Sequence, residues 1–146
     1  MNGKRDSQRK RVYNSETVIH GKNFVSIPEI QEYVDKISHS SWWKKNHRYY
    51  TYNIEVKDGR GCRNAYAVGF RTIKLPKWSR HESVILHELS HTIINSHFMY
   101  GAVAAHGCEF SKIYLLMVKR FMGKDEYKKL KMSFKDWKVK YSTSKI

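Results

Sequence analysis

The chain has 146 residues, of which 40% are hydrophobic and 14% aromatic, so it is long and apolar enough to fold around its own core. It contains no run of about 18 apolar residues and begins with a polar segment, so we expect neither a transmembrane helix nor a secretory signal. Its two cysteines form no CxxC pair, which argues against a disulfide framework and against a zinc ribbon. We therefore expect an intracellular, cytoplasmic protein.

The net charge is +15, from 28 basic and 13 acidic residues. Such an excess attracts polyanions, and nucleic acid is the commonest polyanion in a cell. We therefore expect a basic surface that binds DNA, single- or double-stranded. The alternative is a charge that only keeps the protein in solution, because composition alone specifies neither a nucleotide sequence nor a strand type.

The first elements in the chain are a basic segment and a helix. Residues 1–15 carry five basic side chains and no apolar periodicity, so we expect a mobile basic arm in front of a single domain over residues 16–146. Ser26, followed two residues later by Pro28, is typical of a helix start. Apolar residues at helical spacing then predict a helix that continues to about Ser38.

The next segment mixes aromatic with basic side chains. We expect residues 40–46 to form an irregular connection. The run from Trp42 to Tyr50 suits stacking on single-stranded bases beside a track of phosphates. The alternative, which we favour, is that the two tryptophans belong to the hydrophobic core and that the lysines around them are solvated.

Three short extended patterns follow. Residues 50–56 alternate and are rich in β-forming side chains, and residues 58–61 are typical of a turn. Residues 65–70 and 72–75 predict two further strands, the second of which ends at Pro76. Together they predict a small sheet, either antiparallel or mixed.

Helical patterns occupy the rest of the chain. The first covers about residues 80–97 and the second about residues 108–122, after which Gly123 is expected as the C-cap. The last begins near Asp125 and carries many lysines, which can lie along phosphates or face water. A small sheet packed on the first of these helices, with helices before and after it in the chain, gives an α+β fold class.

The helical pattern over residues 80–97 contains the sequence HELSH, from His87 to His91, which matches HExxH. Residues four apart lie on one face of a helix, so both imidazoles can point at one metal ion. Glu88 would then lie beside the water on that metal as a candidate general base. The alternative is an ordinary helix on which the two histidines have no ligand. Zinc is the expected metal, although histidine sites bind several divalent ions.

A catalytic zinc site usually needs a third protein ligand, and three downstream residues are candidates. His97 has the spacing of a metzincin ligand, but Ile94 stands where that pattern needs glycine, and a continuing helix would carry His97 about 240° around its axis. Glu109 would suit a gluzincin-like site, in which a glutamate on the following helix binds the metal. His106 stands at the start of that helix, where Gly107 lets the backbone approach closely, and it is the third ligand that we prefer.

HELSH, a gap of fourteen residues and then HGCEF resemble the SprT-like (Spartan-type) zinc metalloprotease domain, where HExxH is followed at a similar distance by HGxxF or HGxEF. The flanking segments also resemble small phage and bacterial proteins described as metallohydrolases. The resemblance spans about residues 50–140. It implies a minimal zincin-like fold, Zn²⁺ bound by His87, His91 and His106, and Glu88 as the catalytic base.

The same resemblance bears on substrates and partners. SprT-like members include proteases that degrade proteins crosslinked to DNA and are switched on by DNA, which agrees with the basic charge here. The chain departs from them because it has no cysteine zinc ribbon and no recognisable additional DNA-binding module. For a phage protein, the expected location is the host cytoplasm.

Three functions are therefore open at the level of the sequence. The first is a zinc metallopeptidase that cleaves proteins or peptides, on or near nucleic acid. The second is a zinc hydrolase of a non-protein amide or ester. The third is a basic nucleic-acid-binding protein whose zinc site is structural or vestigial. The first is the leading hypothesis, because a base residue and three spaced ligands are all present.

Overall fold

A computed structural model describes residues 4–143 and confirms the predicted α+β class. In the described range, six α-helices accompany one three-stranded sheet. In chain order the elements are α1 (Arg9–Ser15), α2 (Ile27–Ser38), α3 (Ser41–Asn46), β1 (Glu55–Asp58), β2 (Tyr66–Val68), β3 (Thr72–Leu75), α4 (Glu82–His97), α5 (Cys108–Phe121) and α6 (Lys124–Asp136).

The chain divides into two compact units. Gly21–His97 forms one, and the described parts of Met1–His20 and Phe98–Ile146 form the other. None of the helices in residues 4–143 has both the length and the apolar character that crossing a bilayer requires.

The predicted mixed sheet is confirmed, and it lies in the Gly21–His97 unit with the strand order β1-β3-β2. β3 is the central strand: Ile73 lies opposite Val56 of β1 in a parallel pair and opposite Ala67 of β2 in an antiparallel pair. Ile73 and Leu75 are fully buried. These two positions, two residues apart, point to the same side of the strand, and β2 and β3 both pack against α4.

Helix α2 begins and packs as its sequence predicts. Ser26 is the N-cap, and its side chain accepts a hydrogen bond from the Glu29 amide at 3.3 Å. One turn later, Gln31 donates to the Ile54 carbonyl at 2.7 Å and accepts from the Val56 amide at 2.9 Å. Because β1 has no strand partner beyond it in the described sheet, this one amide side chain satisfies backbone groups that the edge strand leaves open.

The chain between the sheet and α4 is held tightly. A Cβ added at Gly59 would lie 2.6 Å from the Pro76 nitrogen, so only glycine fits there. Arg80 donates from Nη2 to the Leu75 carbonyl at 3.2 Å and pairs with the Asp58 carboxylate at 3.0 Å. The side chain of Arg80 is only 9% exposed, so this pair fixes the approach to α4 better than a fully solvated ion pair would.

The prediction of an irregular connection over residues 40–46 is wrong, because Ser41–Asn46 forms α3. Ser40 caps this helix by accepting from the Trp43 amide at 3.2 Å. Trp43 is completely buried and stacks on His47 with ring centroids 5.0 Å apart, so the core interpretation is confirmed for this tryptophan. Burial lowers the pKa of His47, which keeps the imidazole neutral, and its Nε2 contacts the Phe70 carbonyl at 2.7 Å.

The N-terminal segment differs from the mobile arm that we expected over residues 1–15, of which residues 1–3 lie outside the described range. Residues 9–15 form α1, and Val12 is fully buried. Gln8 forms a paired contact with the backbone of Lys140, donating to its carbonyl at 2.9 Å and accepting from its amide at 3.1 Å. The side chain of Val12 and the side-chain amide of Gln8 thus anchor a segment whose charge pattern predicted a solvent-exposed arm.

Helices α5 and α6 pack against each other in the same unit as α1. Gly123 follows the C-cap of α5, which is Met122 and not Gly123 as predicted; its φ angle is +102°, and its amide donates back to the Val118 carbonyl at 3.0 Å. Ser133 of α6 donates to the Ser15 carbonyl at 2.7 Å, which joins α6 to the end of α1. The fully buried apolar side chains of this unit are Val12, Phe110, Tyr114, Met117, Val118, Leu130 and Phe134.

Candidate metal centre

Helix α4 carries the HExxH pattern and is the most buried helix of its unit. Eleven of its sixteen residues are buried, which fits a helix with apolar residues on most sides. Its start is fixed by Glu82, whose carboxylate accepts from the Tyr33 hydroxyl at 2.6 Å and from the Lys22 amide at 3.2 Å. Burial, reinforced by the Glu82 carboxylate, raises the pKa of Tyr33 well above its usual range, so its phenol stays protonated and donates.

The two histidines of the pattern lie together on α4, one helical turn apart. The ring centroids of His87 and His91 are 5.0 Å apart, and the ring planes cross at 67°. His87 is buried, with 1% of its surface exposed, whereas His91 is half-buried. One imidazole is thus shielded from solvent and the other is partly exposed.

Glu88 is buried beside His87. Only 4% of its surface is exposed, and its Oε2 lies 4.0 Å from Nε2 of His87. Burying a carboxylate costs several kcal/mol unless it is paired with a charge or a metal. Glu88 is therefore not an ordinary surface glutamate, and its carboxylate lies beside a histidine of the HExxH pattern.

His106 is the residue that completes the histidine group. His87, His91 and His106 each offer one ring nitrogen, and these nitrogens all lie within 4.8 Å of one another. In a tetrahedral zinc site with Zn–N distances of about 2.1 Å, ligand nitrogens are separated by roughly 3.4 Å. Small adjustments of the rings would bring the three nitrogens to that spacing, so this buried three-histidine group could hold a metal ion.

The two other candidates for the third ligand are placed elsewhere. α4 continues unbroken to His97, whose Nε2 lies 2.6 Å from the Asn46 carbonyl oxygen. Glu109 is in the first turn of α5, and its Oε1 would lie 3.3 Å from a Cβ on Gly107. Neither residue belongs to the histidine group formed by the described residues.

His106 is oriented by residues of its own unit. Its ring lies 5.1 Å from the Tyr13 ring and 5.1 Å from the Phe110 ring, measured between centroids. Asp6 contacts it twice: Oδ1 accepts from the His106 amide at 2.9 Å, and Oδ2 lies 2.8 Å from Nδ1 of the ring. Asp6 was not among the predicted site residues, because it belongs to no motif and lies in the segment expected to be a mobile arm.

The donor set is chemically suited to a divalent transition metal. Neutral imidazole binds zinc, copper, iron and nickel well, and three histidines form a known catalytic zinc set that leaves a fourth position open. Magnesium and calcium, which prefer oxygen ligands, fit poorly.

Comparisons of the chain with protein-family models, with curated proteins and with solved structures each find no match.

Proposed function

We propose that the chain is a zinc-dependent metallohydrolase, and specifically a metallopeptidase that uses Glu88 to activate water. The observation that carries the proposal is the convergence of three histidine ring nitrogens within 4.8 Å, together with a buried carboxylate 4.0 Å from one of those histidines. Three ligands without a nearby base would suit a structural site, whereas three ligands with a carboxylate beside them suit a catalytic one.

Hydrolysis would use a metal ion bound by three histidines and a general base. Zinc bound by His87, His91 and His106 would lower the pKa of water toward neutrality and polarise the carbonyl of the substrate. Glu88 accepts the proton from the attacking water and later delivers it to the leaving amine. The burial of His87 and Glu88 lowers the local dielectric, which strengthens the attraction between the carboxylate and developing positive charge.

The choice of a peptide as substrate is supported by the resemblance to SprT-like metalloproteases, which rests on HELSH and the spaced HGCEF. On the same ground we propose an intracellular protein substrate. A zinc hydrolase acting on a non-protein amide or ester would use the same ligands and the same base, so the choice between the two depends on the substrate that is turned over.

The test is the metal dependence of protein cleavage. The purified full chain is stripped with a chelator, reloaded with one equivalent of zinc, and assayed on a fluorescein-labelled, unfolded casein. We expect the stripped protein to be inactive and the reloaded protein to regain activity, whereas reloading with magnesium restores none. Cleavage that persists without metal would overturn the proposal, and a zinc-loaded protein that cleaves small esters but no protein would assign it to the other class of hydrolase.

A second candidate function, nucleic-acid binding, is favoured by one feature of α6. Lys128, Lys131 and Lys135 recur on one face of this helix and border an open groove of about 560 Å³. Met132, Val139 and Tyr141 complete the lining of the groove. Lysines beside apolar and aromatic surface suit a single strand, whose phosphates need cations and whose bases need a surface for stacking.

Replacing the three groove lysines by glutamine is expected to weaken binding to a single-stranded 20-mer and to reduce the slope of log K against log salt. With about 0.7 released ions per phosphate contact, the slope should fall by about two. Fluorescence anisotropy at several salt concentrations measures both quantities. The matched control removes three exposed lysines of the other unit that lie outside the aromatic and basic run Trp42–Tyr50, namely Lys36, Lys57 and Lys77. Equal losses in the two triple variants would show that only the net charge matters.

A further inference from the structure

The carboxylate of Asp6 makes two hydrogen bonds to a single residue, His106. Oδ1 accepts from the backbone amide at 2.9 Å, and Oδ2 lies 2.8 Å from Nδ1 of the imidazole. The first contact fixes the backbone of His106 and the second fixes the rotation of its ring. The side chain of His106 is only 6% exposed and that of Asp6 is 24% exposed, so the interaction is largely shielded from water.

Asp6 is itself held in place from both sides. Two residues before it, the Lys4 amide donates to the Gly101 carbonyl at 3.2 Å. Two residues after it, Gln8 forms its paired contact with the Lys140 backbone, and its Nε2 also lies 3.4 Å from the Ser111 hydroxyl. The carboxylate is therefore positioned before any ligand binds, which is what an orienting residue requires.

The contact also determines which ring nitrogen of His106 can bind a metal. An ionised carboxylate can only accept hydrogen bonds, so Nδ1 must carry the proton that lies between the ring and Asp6. In a neutral imidazole the other nitrogen, Nε2, then has the lone pair. A carboxylate that holds Nδ1–H also makes the ring a stronger electron donor at Nε2.

We infer that Asp6 is a positioning residue of the metal centre, which holds His106 in the Nδ1–H tautomer so that Nε2 serves as the third metal ligand. This inference rests on the proposed metal site, but the orientation of His106 by Asp6 can be measured separately. The residue lies 100 positions before the histidine that it orients. The N-terminal segment is thus part of the metal centre.

The test compares Asp6→Ala and Asp6→Asn with the control Asp136→Ala, which removes an exposed carboxylate of the same unit. Zinc affinity is measured by competition with a chromophoric chelator. We expect Asp6→Ala to bind zinc about 10–100-fold more weakly, in the range found for lost partners of ligating histidines. Asp6→Asn keeps one oxygen acceptor and should lose less, while Asp136→Ala should match the wild type.

A second measurement separates this inference from the proposed function. Nitrogen-15 NMR of the metal-free protein at pH 8 reports the tautomer of His106 directly. We expect Nδ1–H in the wild type and in Asp136→Ala, and a mixture of tautomers in Asp6→Ala. Circular dichroism and thermal unfolding in chelator establish that Asp6→Ala is folded. Should it fail to fold, Asp6→Asn supplies a smaller change in the same direction, and an Asp6→Asn protein with the zinc affinity and the tautomer of the wild type then overturns the inference.

The outcomes are distinct. Unchanged zinc affinity in a folded Asp6→Ala, or an unchanged tautomer, overturns the inference. A wild-type protein that binds no zinc overturns the proposed function and with it the role of Asp6 at a metal, and the NMR result then decides whether Asp6 still orients the ring. Weaker zinc binding together with a mixed tautomer supports the inference.

Discussion

Replacing Glu88 by glutamine is expected to lower kcat/KM for protein cleavage by about 10²–10⁴-fold, the usual contribution of a general base. Glutamine has nearly the same shape but cannot accept a proton, so the attacking water is no longer deprotonated. Because Glu88 lies 4.0 Å from Nε2 of His87 and is not itself one of the three clustered histidines, metal content should stay at that of the wild type. Both quantities are measured on the same preparation, by casein cleavage and by elemental mass spectrometry.

The control for Glu88→Gln is Glu32→Gln, which removes a glutamate whose side chain is 74% exposed. Its Oε1 lies 4.0 Å from Nζ of Lys36, so the two form a solvated ion pair. Such a pair contributes at most about 1 kcal/mol to stability, so the control should keep full activity. If Glu88→Gln retained cleavage within about threefold of the wild type, Glu88 would not be the base. If it lost both metal and activity, the glutamate would be needed to hold the site rather than for proton transfer.

Helices with local signals could be predicted from the sequence, and their bounds were close. α2 has a serine N-cap, proline in its first turn and apolar residues at helical spacing, and it spans Ile27–Ser38 as expected. α5 is amphipathic, and a glycine with positive φ follows its C-cap. In both cases the residues that determine the helix lie within it or next to it, so no knowledge of the tertiary structure was needed.

The sequence did not predict α1, and it placed the start of β1 too early. α1 has a charged exterior, and its anchors are Val12 and the Gln8 amide, whose partner Lys140 lies 132 residues away. β1 starts at Glu55, later than the alternating pattern suggested, because the Tyr52 amide bonds to the Tyr49 carbonyl at 3.0 Å in a turn. Aromatic residues favour strands, but here they pack on one another and on Phe70.

In the candidate site, too, residues close together in sequence were predicted, whereas a residue distant in sequence was not. His87 and His91 are four residues apart, so helical periodicity alone predicted that they share one face, with Glu88 next to His87 in the chain. The sequence offered three candidates for the third metal ligand. Gly107 and the resemblance to a family motif favoured His106. Asp6 has no such signal, because one aspartate among five basic residues matches no motif. Only the fold shows that its Oδ2 lies 2.8 Å from Nδ1 of His106.

Zinc is expected to stabilise the wild-type protein strongly, and removal of either His91 or His106 should abolish most of that effect. At a free zinc concentration 1,000 times Kd, binding to the native state contributes about 4.1 kcal/mol. For a chain of this size each kcal/mol raises Tm by roughly 2–4 °C, which gives a rise of about 8–16 °C. Thermal unfolding with zinc and with chelator measures the difference.

The same dependence of stabilisation on the ratio of zinc concentration to Kd gives the stabilisation that the histidine variants lose. Removal of a metal ligand should cost at least about 100-fold, the upper end of the range for outer partners of ligands, so His91→Ala and His106→Ala at the same zinc concentration sit near ten times Kd or below. The stabilisation then falls to about 1.4 kcal/mol, or a Tm shift of about 3–6 °C. His39→Ala, which removes an exposed histidine at the end of α2, should shift as the wild type does.

The pattern across the variants discriminates between ligand sets more sharply than any single value. If His91→Ala loses the zinc shift and His106→Ala keeps it, the metal is bound by the HExxH pair without His106, and the role of Asp6 falls with it. If all three variants keep the shift, zinc binds elsewhere on a histidine-rich surface. Loss in both His91→Ala and His106→Ala, with none in His39→Ala, is the result that only a shared site of the three clustered histidines explains, because His91 lies in α4 and His106, fifteen positions later, in the turn before α5.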